Sequence, residues 1–134
     1  MKSKILFLCP YGGAKSVIAA TYFNQLAESK HLPYVVAAAA AETPYDAVPE
    51  TIVALLGDEL KSFKPHHVDA AELASAARVV SIDCDLAPLD TRGVTIEKWD
   101  DVPKVSVDLP ASAAAIRKHV EELVNALTSG VRQR

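Results

Sequence analysis

Ile5-Leu6-Phe7-Leu8-Cys9-Pro10-Tyr11-Gly12-Gly13-Ala14-Lys15-Ser16 decides the fold and carries the chemistry of this chain. A short apolar run ends on a cysteine. Two glycines, a cation and a hydroxyl follow, and a helical pattern begins at Ser16. A strand that turns directly into a helix N-terminus makes an anion site, because the first amides of a helix lack partners and its dipole is positive there. A thiol at such a point ionises more readily than a free one. Nucleophile and oxyanion cradle then share one loop, in which Tyr11, Gly12, Gly13, Ala14, Lys15 and Ser16 are the candidates for holding an anion. The nucleotide-binding loop is excluded. It needs Gly directly before Lys-Ser and another Gly five residues earlier, where this chain has Ala14 and Cys9. Ser16 is suited to donate to the thiolate or to cap the helix, and both roles can hold together.

Outward from that stretch, strand and helix patterns alternate. Lys4–Cys9 reads as a buried strand. Ser16–Lys30 reads as a helix, with Ile18, Tyr22 and Leu26 repeating every four residues. Tyr34–Ala39 is a second strand. Pro49 opens a helix through Val53 and Leu56 that ends near Gly57. Asp69-Ala70-Ala71-Glu72 resembles a capping box and starts a short helix to about Ala77. Arg78–Asp83 and Val94–Trp99 are the third and fourth strands. The last helix runs from about Pro110 to Ser129, with Ile116, Val120, Leu123, Val124 and Leu127 on one face and Gly130 at its end. Alternation of this kind implies an α/β fold. The expected architecture is a doubly wound four-stranded parallel sheet of order 2-1-3-4, helices on both faces, in one domain spanning 1–134. Ligands of such sheets sit at the carboxyl ends of the strands. The Cys9–Ser16 loop lies there, with the loops after strands 3 and 4 on the same edge.

Composition narrows the function. Of 134 residues half are apolar and 23% are charged, with a net charge of −3, the balance of an ordered globular chain. No basic block suggests nucleic acid or a membrane surface. Ile5–Leu8 is too short for the core of a signal peptide, and no segment approaches a membrane span. The two cysteines, Cys9 and Cys84, make no disulfide framework, so a cytoplasmic protein with reduced thiols is expected. His66-His67 follows Pro65 as a surface pair. Adjacent residues on an extended chain point apart and make poor zinc ligands, so no metal site is expected.

Two further clusters bear on chemistry. Asp100-Asp101-Val102-Pro103 follows strand 4, within reach of the cleft, where a carboxylic acid protonates a leaving oxygen. Trp99 is placed to give apolar cover that raises a neighbouring carboxyl pKa. Asp83-Cys84-Asp85 follows strand 3 and brings Cys84 towards Cys9. A partly buried structural cysteine is the plainer reading of Cys84. Tyr11 and Tyr45 are candidate walls of a pocket.

These residues resemble the low-molecular-weight protein tyrosine phosphatases and the arsenate reductases that share their fold. That family's loop has Cys, five residues, Arg and Ser/Thr. Here Cys9-Pro10-Tyr11-Gly12-Gly13-Ala14-Lys15-Ser16 stands in its place. Ala37–Ala41 stands where the family has a Ser-Ala-Gly stretch. Val79–Asp83 is similar to the strand ending in Met-Asp, and Trp99–Pro103 to the late Asp-Pro segment bearing the general acid. The resemblance covers almost the whole chain. It implies a cysteine-dependent phosphatase acting on a phosphomonoester, phosphotyrosine included, with no cofactor. Cys9 is then the nucleophile, with Lys15 and Ser16 beside it. Asp101 is the first choice for the acid and Asp100 the second. The expected partners are phosphate or another tetrahedral oxyanion and a phosphorylated substrate.

The departures have chemical content. Lys15 replaces the motif arginine, exchanging a two-pronged planar donor for a point charge. Gly12 replaces the loop asparagine and removes a side-chain brace. Pro10 has no N–H to donate. Val102 separates aspartate from proline. Two alternatives follow from these differences. One is an arsenate reductase resolved by an external thiol, with Cys84 as a possible resolving thiol. The other is a catalytically weakened oxyanion-binding protein that keeps the fold.

Overall fold

The computed structural model describes residues 3–87 and 89–132, and side chains of the last helix as far as Thr128. Its strands are β1 (Ser3–Cys9), β2 (Tyr34–Ala40), β3 (Arg78–Ile82) and β4 (Ile96–Trp99). Its helices are α1 (Lys15–Ser29), α2 (Glu50–Leu56), α3 (Ala70–Ser75) and α4 (Leu109–Arg132), with a 3-10 turn at Asp58–Ser62. The sheet is parallel, in the order β2-β1-β3-β4. That is the expected topology.

Alternation along β1 divides the interior. Ile5, Phe7 and Cys9 join Val17, Ile18, Phe23, Ile116 and Val120 in a core under α1 and α4. Leu6 and Leu8 join Val68, Leu73 and Val79 on the opposite face, which α3 covers. Both faces of a parallel sheet must be covered, which is why β1 is apolar at every position from Ile5 to Cys9.

Several boundaries differ from those read in the sequence. β3 stops at Ile82, because Asp83 takes a left-handed φ of 50° and ends the extended chain. β4 is shorter by two residues, since Val94 belongs to a turn whose amide bonds Thr91 O. α3 carries the predicted capping box, with Glu72 N donating to Asp69 Oδ1 at 2.8 Å, but ends at Ser75. α4 begins at Leu109, where Asp108 Oδ1 accepts from Ala111 N at 3.0 Å. It continues past Gly130, which therefore does not stop it.

The register fixes the site. β1 and β3 pair Leu8 with Ser81, so the chain leaving Ile82 emerges beside the chain leaving Cys9. β2 pairs Cys9 with Ala40 on the other side.

Candidate functional site

The loop between β1 and α1 is held by its carbonyls. Cys9 O accepts from Ala41 N at 3.0 Å, Pro10 O from Glu42 N at 3.0 Å, Tyr11 O from Tyr45 N at 3.0 Å and Ala14 O from Ile18 N at 2.9 Å. Trans peptide geometry opposes each carbonyl to the next amide, so the bonded carbonyls of Pro10, Tyr11 and Ala14 turn the amides of Tyr11, Gly12 and Lys15 away from those partners. Among the described residues, the amides of Gly12 to Ser16 donate to no partner within hydrogen-bond range. Ala14, at the helix start, provides no side-chain cap. Five successive open donors at a helix N-terminus form a cradle for an anion.

Gly12 is the pivot of this loop. Its φ is 68°, and a Cβ there would sit 2.7 Å from the Ala40 amide nitrogen. The loop rests directly on the end of β2. The alanines of that strand, with Ala38, Ala39 and Ala40 buried, leave the room. The missing asparagine side chain thus does not leave the loop unbraced: close backbone packing does the bracing.

Cys9 is buried, with its Sγ 3.0 Å from Ser16 Oγ. In the thiol form the S–H donates to the hydroxyl; in the thiolate form the hydroxyl donates to sulfur. Of the two roles considered for Ser16, only the bond to sulfur is realised. Lys15 is also buried, and its Nζ donates to Asp83 Oδ2 at 2.7 Å. The two side chains are 11% and 25% exposed. The strain of a left-handed aspartate is modest, because Asp tolerates that region better than most residues. It places the carboxylate where it compensates a buried ammonium.

Cys9, Lys15, Asp83 and Asp100 line one cavity of about 930 Å³. Tyr11 and Tyr45 wall it, with ring centroids 5.0 Å apart and both rings partly exposed. Burial, with Tyr11 and Cys9 nearby, pushes the Tyr45 phenol up from its usual 10.0. It stays a neutral donor at working pH.

The two aspartates of the late loop separate. Asp100 lines the cavity; Asp101 is not among the lining residues. Asp101 Oδ1 instead lies 2.7 Å from His119 Nε2. His119 holds the Asp101 carboxyl below its usual 3.8, the opposite of the raised value expected under Trp99 cover. Trp99 itself is buried, 5.8 Å from Phe7 and stacked on His119 at 4.8 Å. These contacts anchor the start of the loop.

Cys84 Sγ lies 3.4 Å from Ser81 Oγ, and burial pushes its thiol above the usual 9.0. His66 bonds Glu72 Oε2 at 2.9 Å and sits outside the cavity, as does His67. Among the described residues no group of His, Cys, Asp and Glu is placed to hold a metal. Nor is any described helix long and apolar enough to cross a membrane.

No protein-family model matches the chain, and no curated protein matches it by sequence. Solved structures do. The low-molecular-weight phosphotyrosine phosphatase of Vibrio cholerae superposes with a TM-score of 0.81 at 15% identity, over 94% of this chain and 97% of that one. The thioredoxin-dependent arsenate reductase of Corynebacterium glutamicum gives 0.80 at 15% identity, over 96% of this chain but only 63% of its own. The arsenate reductase of Archaeoglobus fulgidus gives 0.73 at 26% identity, over 90% of this chain and 98% of that one. The fold is that of the low-molecular-weight phosphatases and arsenate reductases. Within it, the missed partner is Asp83. Its tripeptide drew attention through Cys84, whereas its carboxylate is what meets the loop.

Proposed function

We propose that the protein is a cysteine-dependent hydrolase of phosphomonoesters that accepts aryl phosphates. The observation that carries this reading is that Cys9, Lys15 and Asp100 line one aromatic-walled cavity, at a loop whose amides from Gly12 to Ser16 have no partner in the fold. The Cys9 thiolate attacks phosphorus, forming an S–P bond as the bond to the leaving oxygen breaks. Asp100 donates its proton to that oxygen and then takes one from the attacking water. Water displaces the thiolate and releases inorganic phosphate. The loop amides hold the three non-bridging oxygens, which lie equatorial as the phosphoryl group transfers. Tyr11 and Tyr45 stack on the aryl group.

Hydrolysis of p-nitrophenyl phosphate tests this. Turnover is expected, with a phosphocysteine trapped by acid quench and Cys9→Ser at the background rate. Turnover that survives Cys9→Ser rejects the mechanism. The oxyanion-binding reading is favoured by one observation, the neutralisation of Lys15 by Asp83. Stabilisation by phosphate against heat without any turnover selects it. An arsenate reductase resolved by an external thiol remains the other reading of this site. Arsenate-dependent oxidation of glutathione, with no hydrolysis of the aryl ester, selects that one.

A further inference from the structure

The loop has one cation inside its cradle, and that cation already has a partner. Lys15 Nζ is 2.7 Å from Asp83 Oδ2, and both side chains are largely withdrawn from water. In such a setting an ion pair presents little net charge to a third group, while each charge alone acts strongly. Lys104 also lines the cavity, but it is an exposed residue whose charge is screened by solvent and salt. An anion entering the cradle therefore meets neutral N–H donors and an offset lysine.

We infer that Asp83 is a specificity-determining residue, which by neutralising Lys15 makes the cradle favour singly charged tetrahedral oxyanions over doubly charged ones. The inference rests on the reading of Gly12–Ser16 as an anion cradle and adds the charge state of its ligand. Backbone donors grip both kinds of anion with the same geometry. The difference lies in uncompensated charge, which costs a dianion more than a monoanion. Monoprotonated phosphomonoesters fit this preference better than their dianions. The left-handed φ of Asp83 belongs to the device: it turns the carboxylate back over the loop instead of letting β3 run on.

Sulfate and perchlorate are tetrahedral anions of charge two and one that do not titrate near neutral pH. Their dissociation constants are to be read from Gly12 and Gly13 amide shifts in four proteins: wild type, Asp83→Asn, Lys15→Met and the double variant. Asn adopts a left-handed φ readily, so Asp83→Asn keeps the backbone. Freeing the lysine charge should tighten sulfate by about tenfold or more and perchlorate by only about threefold. The double variant, a neutral pair for a neutral pair, should bind sulfate close to wild type. Two results overturn the inference. In one, Asp83→Asn leaves the sulfate-to-perchlorate ratio unchanged. In the other, the double variant binds sulfate as weakly as Lys15→Met, which means that Lys15 leaves Asp83 for the anion. If sulfate and perchlorate move no loop amide in any of the four proteins, the cradle itself is wrong and the inference falls with it.

Discussion

Replacing Gly12 by alanine should cost the protein a measurable share of its stability, and Gly13→Ala should not. Two costs meet at Gly12. Its φ of 68° is left-handed, where a side chain costs about 1–2 kcal/mol. The new Cβ would also lie 2.7 Å from Ala40 N and 3.0 Å from Ala39 C, both backbone atoms of β2. Relieving such overpacking costs about 1–3 kcal/mol, since neither the strand nor the loop has free space to move into. Against this, the alanine restricts the unfolded chain and returns about 0.4–1 kcal/mol. The expected net loss is about 1–4.5 kcal/mol, out of the 5–15 kcal/mol typical of a domain. In a melt this is a drop of roughly 3–15 °C. At Gly13 the backbone has no left-handed strain. The nearest atom to a new Cβ is Tyr45 Cδ2 at 2.8 Å, a side-chain atom of a residue that is 40% exposed rather than a backbone atom of the sheet. That variant should lose less than about 1 kcal/mol. The assay is urea unfolding followed by fluorescence of Trp99, the sole tryptophan, which is 2% exposed in the fold. Equal stability of the two variants would refute the claim that the loop is braced by its backbone contact with β2.

The late aspartates give a second pair of expectations. Asp100→Asn should lower kcat on an aryl phosphate by about 10²–10⁴, the usual weight of a general acid. Asp101→Asn should leave kcat near wild type, because Asp101 is engaged by His119 outside the cavity. Asp101→Asn should instead remove a stabilisation that is present above pH 3.8 and lost as pH falls through the depressed folded value, read as a Tm difference from wild type that closes in acid. At the second thiol, burial raises the Cys84 pKa above its usual 9.0, so its alkylation by iodoacetamide should be slower than that of a free thiol at neutral pH and speed up as the pH rises past 9.0. Rapid alkylation of Cys84 at neutral pH, followed by mass spectrometry of its peptide, would contradict that environment.

The sheet was legible because its signals are local. Ile5–Cys9 is an unbroken apolar run, Val79–Ile82 is apolar but for Ser81, and each is bounded by turn or cap residues within a few positions. Alternation with helical patterns then leaves few topologies, and the observed order β2-β1-β3-β4 is among them. The capping box at Asp69 and Glu72 was legible for the same reason, since both partners lie within one turn. Helix and strand ends were less so. Asp83 has no composition signal that forbids one more extended residue; its left-handed turn follows from where its carboxylate goes. Gly130 has a helix-stopping preference worth only about 1 kcal/mol, and α4 runs through it.

The site divides along the same line. Cys9, Ser16 and the glycines lie within eight residues, and spacing alone brings them into one turn. Choosing between Asp100 and Asp101 required knowing which way the chain turns after β4. That turn is set by Trp99 packing between Phe7 and His119, contacts that reach 92 residues back and 20 forward in the chain. The Lys15–Asp83 pair spans 68 residues, and no local pattern announces it. The signal lay in the register. Pairing the two apolar runs so that Leu6 meets Val79 and Phe7 meets Val80 sets Leu8 against Ser81. Two steps further along both strands, the residues leaving the sheet are Pro10, which opens the loop after Cys9, and Asp83, which follows Ile82. A buried lysine at the start of α1 must find a carboxylate, and this register delivers one. The replacement of arginine by lysine and the presence of Asp83 are thus one feature. A guanidinium at position 15 would be drawn to the same carboxylate, with two parallel bonds instead of one. Lys15→Arg alone should therefore restore little catalysis, and restoring the fork to the phosphoryl group requires removing the Asp83 charge as well.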